Sequence, residues 1–174
     1  MKSNNMARKE ISPEEEHKAR KTSLKWYLNQ YFRAAAKREQ LELRIQAIRE
    51  VMGSTKGVRY DLAPGGHTNN IGDGAASEIF RIAEIEERIE EQNAETNQAL
   101  MNVLEIMDFL PAESMERTIL EYRHIDRLTW RKICGATNYS RSRAADYYNK
   151  GIEKLLTVQE VREKIENFSS QDNS

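Results

Sequence analysis

A short basic segment near the carboxyl end of the chain carries the side chains best suited to binding an anion. Arg141, Ser142 and Arg143 follow one another at the predicted start of a helix, and Ser140 is its predicted N-cap. Two guanidinium groups and the free backbone amides of a first helical turn suit phosphate oxygens and the edges of guanine bases. The segment therefore indicates a contact with nucleic acid.

The predicted helix after Ser140 has two faces. We expect Ala144, Tyr147 and Gly151 to turn towards the preceding helix. The opposite face offers four side chains of varied polarity: Ser142, Ala145, Asp146 and Asn149. Such a face suits recognition of DNA, whereas in the alternative interpretation the unit is structural and its arginines are only solvated.

The sequence also predicts a short helix before this one, with a cap at its start and a turn at its end. Thr129 is expected to cap a short helix, and Asn138 tolerates the left-handed turn that most residues avoid. The inward side chains of the short helix are expected to be Ile133, Cys134 and Thr137. This order of cap, short helix, turn and second cap is typical of a helix-turn-helix, in which we interpret Cys134 as a packing residue rather than a nucleophile.

The net charge of −1 conceals an uneven distribution along the chain. Residues 1–50 carry 12 Lys/Arg and 7 Asp/Glu, whereas residues 51–111 carry 4 and 11. Residues 127–154 carry 7 and 2, which gives this window a net charge of +5. A compact basic window beside an acidic middle favours a nucleic-acid partner.

Motifs of catalysis, of metal binding and of membrane insertion are missing from the sequence. It contains no Gly-x-x-x-x-Gly-Lys loop, no His-Glu-x-x-His and no Gly-x-Ser-x-Gly. Its histidines, His17, His67 and His124, lie in three different segments, and its single cysteine excludes an intramolecular disulfide. No apolar run approaches the roughly 18 residues of a membrane span. We therefore predict a protein that is not an enzyme, needs no cofactor or metal ion and does not enter a membrane.

Two long heptad patterns precede the basic segment. The first helix is predicted to begin at Ser12-Pro13-Glu14-Glu15, a capping box with proline in the first turn. Its apolar positions are Leu24, Tyr31, Ile45 and Met52 in one register and Tyr27, Ala34, Leu41 and Ile48 in the other. The second pattern runs from Ser77 through Ile82, Ile89, Val103 and Leu110, with Ile85, Ala99 and Ile106 in the other register. Two helices of matched length, the first basic and the second acidic, predict an antiparallel hairpin whose flanks pair or set the choice of partner.

The segment between the two patterns, about 53–76, is predicted to be a long loop because it contains Pro64-Gly65-Gly66 and Gly72-Asp73-Gly74. Loops of this length are either disordered, which we favour, or functional. In the functional alternative, Arg59, Tyr60 and His67 would touch a ligand or nucleic acid.

The carboxy-terminal part begins at Pro111 and contains short helices. One is predicted to end near His124, two follow from Thr129 and Ser140, and the last begins with a capping box at Thr157. We therefore divide the chain into a hairpin domain, 1–110, and a helix-turn-helix domain, 111–174, with a polar tail. On this division, residues 111–174 alone are expected to retain weak DNA binding.

The carboxy-terminal part resembles a known family. Residues 113–156 are similar to the fourth conserved region of sigma factors and to the ends of phage regulators of the RinA and ArpU type. The stretch RTILEYRHIDRLTWRKICGATNYSRSRAADYYNKGIEKLL contains that family's opening helix, Tyr-Arg-x-Ile-Asp turn and Ser-Arg recognition helix. The phage regulators are the closer likeness, because they also carry long amino-terminal helices joined by a variable loop.

The resemblance implies roles for individual residues. Positions that face bases in such proteins are occupied here by Arg141, Ser142, Ala145 and Asp146. Positions nearer the DNA backbone are occupied by Thr129, Arg131, Lys132 and Arg143. Thr137 and Gly151 stand where leucine and alanine are usual, and both are expected to loosen packing.

These observations predict an all-α protein with a long antiparallel helical hairpin followed by a sigma region-4-like helix-turn-helix. The predicted function is sequence-specific binding of double-stranded DNA as a phage transcriptional regulator. The resemblance implies late-gene control, host RNA polymerase as a partner and a location in the cytoplasm of the bacterial host. The hairpin is a candidate for homo-oligomerisation. Two alternatives are a small terminase subunit that recognises DNA for packaging and a protein-binding adaptor.

Overall fold

The computed structural model describes residues 12–55 and 71–171, and in these ranges every regular element is an α-helix. The helices are α1 (Pro13–Leu28), α2 (Gln30–Thr55), α3 (Ile71–Met107), α4 (Met115–His124), α5 (Trp130–Thr137), α6 (Arg141–Thr157) and α7 (Gln159–Gln171). The prediction of an all-α protein is confirmed for this part of the chain.

The predicted loop at 53–76 is wrong at both ends. Residues 53–55 belong to α2 and residues 71–76 to α3, so Gly72 and Gly74 are helical. Each glycine costs a helix only about 1 kcal/mol, which a helix of 37 residues tolerates near its first turn. The centre of the predicted loop lies outside the described residues, as do Arg59, Tyr60 and His67.

The chain forms two compact units. Unit 1 comprises the described residues of Met1–Gln30 and Asn102–Ser174, and unit 2 comprises those of Tyr31–Met101. Unit 1 is thus built from two separate stretches of sequence. This division does not coincide with the predicted domain boundary between 110 and 111.

Unit 1 is organised around α6, which packs against α1, α4, α5 and α7. Fully buried side chains from these helices form its core: Leu24, Leu28, Ile119, Leu120, Ile133, Ile152, Leu155 and Val161. Leu24 and Leu28 are four residues apart and Ile152 and Leu155 three apart, so α1 and α6 each bury one helical stripe.

Helix α1 belongs to this core because its last two turns are apolar. Leu24 and Leu28 are fully buried, and the ring of Tyr27 meets that of Phe168 edge to face at a centroid distance of 5.0 Å. Nearer its start, Lys21 Nζ lies 2.6 Å from a carboxylate oxygen of Glu153 on α6. The heptad pattern predicts that the same apolar residues pack in a hairpin, because such a pattern does not identify the helix against which it packs.

Of the two predicted capping boxes, only the one at the start of α1 is confirmed. Ser12 and Glu15 form the reciprocal capping box at the start of α1. The predicted box at Thr157 is wrong, because α6 continues through this residue and its hydroxyl donates to the Lys154 carbonyl at 2.6 Å. The hydroxyl is therefore used by the end of α6 and does not cap α7.

Gly151 does not loosen packing, contrary to expectation. It is buried in α6, and a Cβ built on it would lie 2.7 Å from Leu120 Cδ1 and 3.2 Å from Glu116 Cβ on α4. The missing side chain allows the two helices to approach closely, so Gly151 tightens this contact.

Unit 2 contains most of α2 and α3, which are joined by ion pairs. Arg49 lies 2.6 Å from Glu86, and Lys37 lies 3.6 Å from Glu95. Partner numbers fall along α3 as they rise along α2, so the two helices run in opposite directions. The side chains buried in this unit include Leu41, Ile45, Gln92, Thr96 and Ala99. Oppositely charged side chains on the flanks of α2 and α3 therefore pair with each other, which is one of the two alternatives drawn from the sequence.

Candidate nucleic-acid interface

The interface begins with the connection from α5 to α6. The Thr129 hydroxyl accepts the Lys132 amide at 3.4 Å and caps α5, and the Ser140 hydroxyl accepts the Arg143 amide at 3.2 Å and caps α6. Between them, Asn138 has φ 56° and ψ 29°, the predicted left-handed conformation. The connection is short because asparagine adopts this conformation at low cost and the next helix is capped two residues later.

Two arginines at the start of α6 lie over aromatic rings. The Arg141 guanidinium carbon is 4.1 Å from the centroid of the Trp130 ring at the start of α5. That of Arg143 is 4.5 Å from the Tyr139 ring, which stacks on Tyr147 with a centroid distance of 5.5 Å. These cation–π contacts restrict both guanidinium groups while leaving most of their N–H donors available to an anion.

Electrostatic interactions link Arg143 to the partly exposed pair Tyr139 and Tyr147. A hydrogen bond with Arg143 lowers the pKa of Tyr147, and the same bond raises the pKa of Arg143. Lys150 Nζ is 5.6 Å from the Tyr147 ring on the next turn of α6. Tyr147 thus connects the cations of two successive turns.

All but one of the predicted contact residues are exposed on α5, on α6 or at the residues that cap these helices. Those fully at the surface are Thr129, Arg131, Lys132, Ser140, Arg141, Ser142, Arg143, Asp146 and Asn149. Ala145 is half-buried. The structure therefore brings the sequence-predicted residues to the surface, with Thr129 and Ser140 already used as caps.

The predicted inner face of α6 is wrong at one position. Tyr147 is partly exposed, and its neighbour Tyr148 is the buried tyrosine, with 9% of its surface accessible. Ala144 and Gly151 are buried as predicted. Because α6 packs against four other helices, its buried stripe is wider than a single contact with α5 requires and includes Tyr148.

Tyr148 belongs to a buried polar network that connects α6 with α4 and the end of α1. His124 Nδ1 lies 3.1 Å from Asn29 Oδ1, and His124 Nε2 lies 3.1 Å from the Tyr148 hydroxyl oxygen. Asn29 Oδ1 only accepts, so Nδ1 carries the proton and the Tyr148 hydroxyl donates to Nε2. Burial lowers the pKa of His124 to about 4 and raises that of Tyr148 to about 12. Both groups are neutral at pH 7 and connect α4 and α6 to the end of α1.

In the described part of the chain, the cations of this surface lack the carboxylate partners that several other cations of unit 1 have. Lys21, Arg117 and Lys154 each lie within 2.9 Å of a carboxylate oxygen. Among the described residues, no carboxylate lies within ion-pair distance of the cations on the α5–α6 surface: Arg131, Lys132, Arg141, Arg143 and Lys150. Their positive charge is therefore directed to solvent and suits phosphate oxygens.

Sequence reasoning missed the aromatic half of the site. Trp130 and Tyr139 were not identified as functional, and Tyr147 was assigned to the core. The signal was the alternation of aromatic and basic residues through Trp130-Arg131-Lys132 and Tyr139-Ser140-Arg141. Which ring lies under which cation depends on the crossing of α5 and α6, which sequence spacing does not specify.

Comparison with known proteins adds no identification. The chain matches no protein-family profile, no curated protein and no solved structure. In the part of the chain that the structure describes, no group of three His, Cys, Asp or Glu side chains is arranged to hold a metal ion. None of the described helices combines the length and apolar character needed to cross a bilayer.

Proposed function

We propose that the α5–α6 surface binds double-stranded DNA as a helix-turn-helix, with α6 as the recognition helix in the major groove. The observation that carries the proposal is the pair of exposed arginines, Arg141 and Arg143, held on aromatic rings at a capped helix start without a carboxylate partner among the described residues. A major groove admits one α-helix, and the first turn of such a helix reaches the base edges.

The two arginines have different roles in this proposal. Arg141 is the first residue of α6 and donates to a guanine edge, for which the planar guanidinium supplies two parallel N–H groups. Arg143, with Arg131, Lys132 and Lys150, binds phosphates and fixes the register. Ser142, Asp146 and Asn149 lie on the exposed side of α6 and complete the surface that meets the bases.

We further propose that the protein is a transcriptional regulator of the phage type. The support is the resemblance of residues 113–156 to sigma region 4 and to RinA- and ArpU-type regulators, together with the capped α5–α6 connection. Late-gene control and contact with host RNA polymerase follow from the same resemblance. Selecting fragments of the source genome on the full chain tests this role. We expect enriched fragments to contain promoters, whereas enrichment of a packaging site would favour a small terminase subunit.

Salt dependence is the first test of DNA binding. If roughly four to six phosphates are neutralised, the logarithm of the association constant falls with the logarithm of salt concentration with a slope of about −4 to −5. Fluorescence anisotropy of a labelled duplex at several salt concentrations measures this slope, with circular dichroism as a control for folding. A flat response would exclude the proposed interface.

Two substitutions separate base contacts from phosphate contacts. Arg141→Ala is expected to weaken binding to a specific site by about 1–3 kcal/mol and binding to random DNA much less. Lys132→Ala is expected to weaken both by the same factor and to reduce the salt slope by about 1. The matched control is Arg20→Ala, which removes an exposed arginine of α1 and should leave DNA binding unchanged. Equal losses on both DNAs for Arg141→Ala would show that the assigned roles are wrong.

A further inference from the structure

An open groove runs along the contact between α2 and α3 within unit 2. It consists of two adjoining cavities of about 450 and 410 Å³, which share Leu41, Arg44 and Arg88. Ile48 and Ile85 line one cavity, so part of the groove is apolar. We call this feature the unit 2 groove.

Large apolar side chains are exposed beside the unit 2 groove. Leu43 and Val51 are 64% and 57% exposed, and each is four residues from Ala47, which lines the groove. On α3, Phe80 is 75% exposed and lies four residues before Glu84, another lining residue. Residues four apart share a helix face, so these side chains widen the groove into an apolar surface on both helices. Such surfaces on a chain usually mark an interface.

A buried donor beside the groove lacks an acceptor. Gln92 lines one of the two cavities, only 2% of it is exposed, and its Nε2 has no hydrogen-bond partner among the described residues. A buried amide without a partner costs roughly 1–3 kcal/mol. Rotation of the Gln92 side chain towards the groove would bring this donor to an acceptor supplied by an occupant.

The charges of the two helices indicate what the occupant is. Residues 31–51 carry five Lys/Arg and three Asp/Glu, a net charge of +2, whereas residues 77–101 carry two and seven, a net charge of −5. Lys37 and Arg49 pair with Glu95 and Glu86 of their own chain, whereas Arg44 and Glu91, which line the groove, have no ion-pair partner among the described residues. In a twofold dimer in which α2 of each chain faces α3 of the other, Arg44 and Glu91 of different copies meet at both contacts.

We propose that the unit 2 groove is the interface between two copies of this chain, which pair as a four-helix bundle with α2 of each copy against α3 of the other. Two helices alone bury only one stripe each, whereas four enclose a core. Leu43, Val51 and Phe80 enter that core. The proposal concerns unit 2 only and does not depend on DNA binding.

The first test is the mass of the full chain, measured by analytical ultracentrifugation over a range of concentrations without DNA. We expect twice the chain mass of 20.2 kDa. Leu43→Lys and Phe80→Lys should each raise the dissociation constant of the dimer at least tenfold. Ile79→Lys is the matched control, because Ile79 is 59% exposed but lies neither three nor four residues from a residue that lines the groove. Circular dichroism should show equal helicity for all variants.

The second test addresses the pairing of α2 with α3 of the other copy. Arg44→Glu places like charges at both contacts of a dimer, and so does Glu91→Lys. Each variant alone is expected to be mainly monomeric, whereas an equimolar mixture should form dimers, because one contact is then native and the other has both charges reversed.

Several outcomes would overturn the proposal. They are a monomer at the highest concentration, an assembly larger than two copies, and a dimer whose dissociation constant is unchanged by Leu43→Lys and Phe80→Lys. Loss of the dimer in Ile79→Lys to the same extent would exclude the unit 2 groove as the interface. If the equimolar mixture of Arg44→Glu and Glu91→Lys has no greater mass than either variant alone, the proposed pairing of α2 with α3 of the other copy is excluded.

Discussion

Trp130 holds the arginine to which we assign base contact. Its ring lies 4.1 Å from the Arg141 guanidinium carbon, and a contact of this kind is worth roughly 0.5–1 kcal/mol at an exposed site. We therefore expect Trp130→Leu to weaken specific DNA binding about two- to fivefold, because Arg141 then samples orientations that do not match the base edge. Fluorescence anisotropy on a specific and a random duplex measures the loss.

The comparison with other variants shows whether Trp130 acts through Arg141. Trp130→Phe keeps a ring under the guanidinium and should lose less affinity. In a double-mutant cycle, Arg141→Ala should cost less in the Trp130→Leu background than in the native chain. Equal costs in both backgrounds would mean that the stacking contributes nothing to recognition.

His124 makes the stability of unit 1 depend on pH. Burial, with Arg123 and Lys25 acting in the same direction, lowers its pKa from 6.5 to about 4. Between these pH values the unfolded chain binds a proton that the folded chain does not, so stability is complete above pH 6.5 and falls as the pH drops towards 4. The expected loss is about 3 kcal/mol, measurable by urea unfolding at several pH values.

Substitution of His124 provides the control. His124→Phe keeps a ring of similar shape but leaves the Asn29 and Tyr148 oxygens without their partner, so it should be less stable than the native chain at pH 7. Between pH 4.5 and 6.5 its stability should no longer change. Glu116 and Glu153, whose pKa values are lowered mainly by hydrogen bonds from Lys154 and Lys21, contribute below this range. If the stability of His124→Phe falls with pH as steeply as that of the native chain, the pH dependence arises from other groups.

At the scale of elements, the approach of α6 to α4 depends on Gly151. Gly151→Ala places a Cβ 2.7 Å from Leu120 Cδ1 and 3.2 Å from Glu116 Cβ, so either the fully buried Leu120 side chain or one of the helices must shift. We expect a loss of about 1–3 kcal/mol in the free energy of unfolding, in spite of alanine's higher helix propensity. Urea unfolding monitored by circular dichroism measures it.

Gly135 in α5 is the matched control for this prediction. A Cβ at Gly135 meets nothing within 4 Å among the described residues, so Gly135→Ala should stabilise the chain by up to about 1 kcal/mol. If both substitutions stabilise the chain, the close contact between α4 and α6 does not restrict position 151.

Elements defined by local hydrogen bonds were predictable from the sequence. Ser12, Thr129, Asn138 and Ser140 cap or turn as expected because their partners lie within three residues or in their own backbone. Contacts between distant elements were not predictable. Tyr147 and Tyr148 are adjacent aromatic residues, and only the packing of four helices on α6 determines which is buried.

At the scale of the whole molecule, unit 2 is an insertion in unit 1. The two ends of unit 1 that flank it are close together, since Asn102 Nδ2 donates to Gln30 Oε1 at 3.1 Å. We therefore expect a variant in which a short Gly/Ser linker replaces residues 31–101 to fold and to bind DNA. Thermal unfolding monitored by circular dichroism measures folding, and fluorescence anisotropy of a labelled duplex measures DNA binding.

The fragment 111–174 is the control for that variant. It lacks α1, whose Leu24 and Leu28 are fully buried in unit 1, so it should be largely unfolded and bind DNA weakly or not at all. This expectation differs from the one drawn from sequence, in which the same fragment was a complete domain. A cooperative unfolding transition and full DNA affinity for the fragment would show that α1 is dispensable.

The discontinuity of unit 1 also sets the timing of its assembly during protein synthesis. Helix α1 leaves the ribosome before α2 to α5, and its packing partners α6 and α7 follow only after them. At the usual rates of synthesis, α1 therefore waits on the order of ten seconds with Leu24 and Leu28 exposed. A chain released early, before Val161 and Ile165 are added, never completes this core. Prematurely terminated products therefore keep Leu24 and Leu28 exposed and are more open to proteolysis than the finished chain.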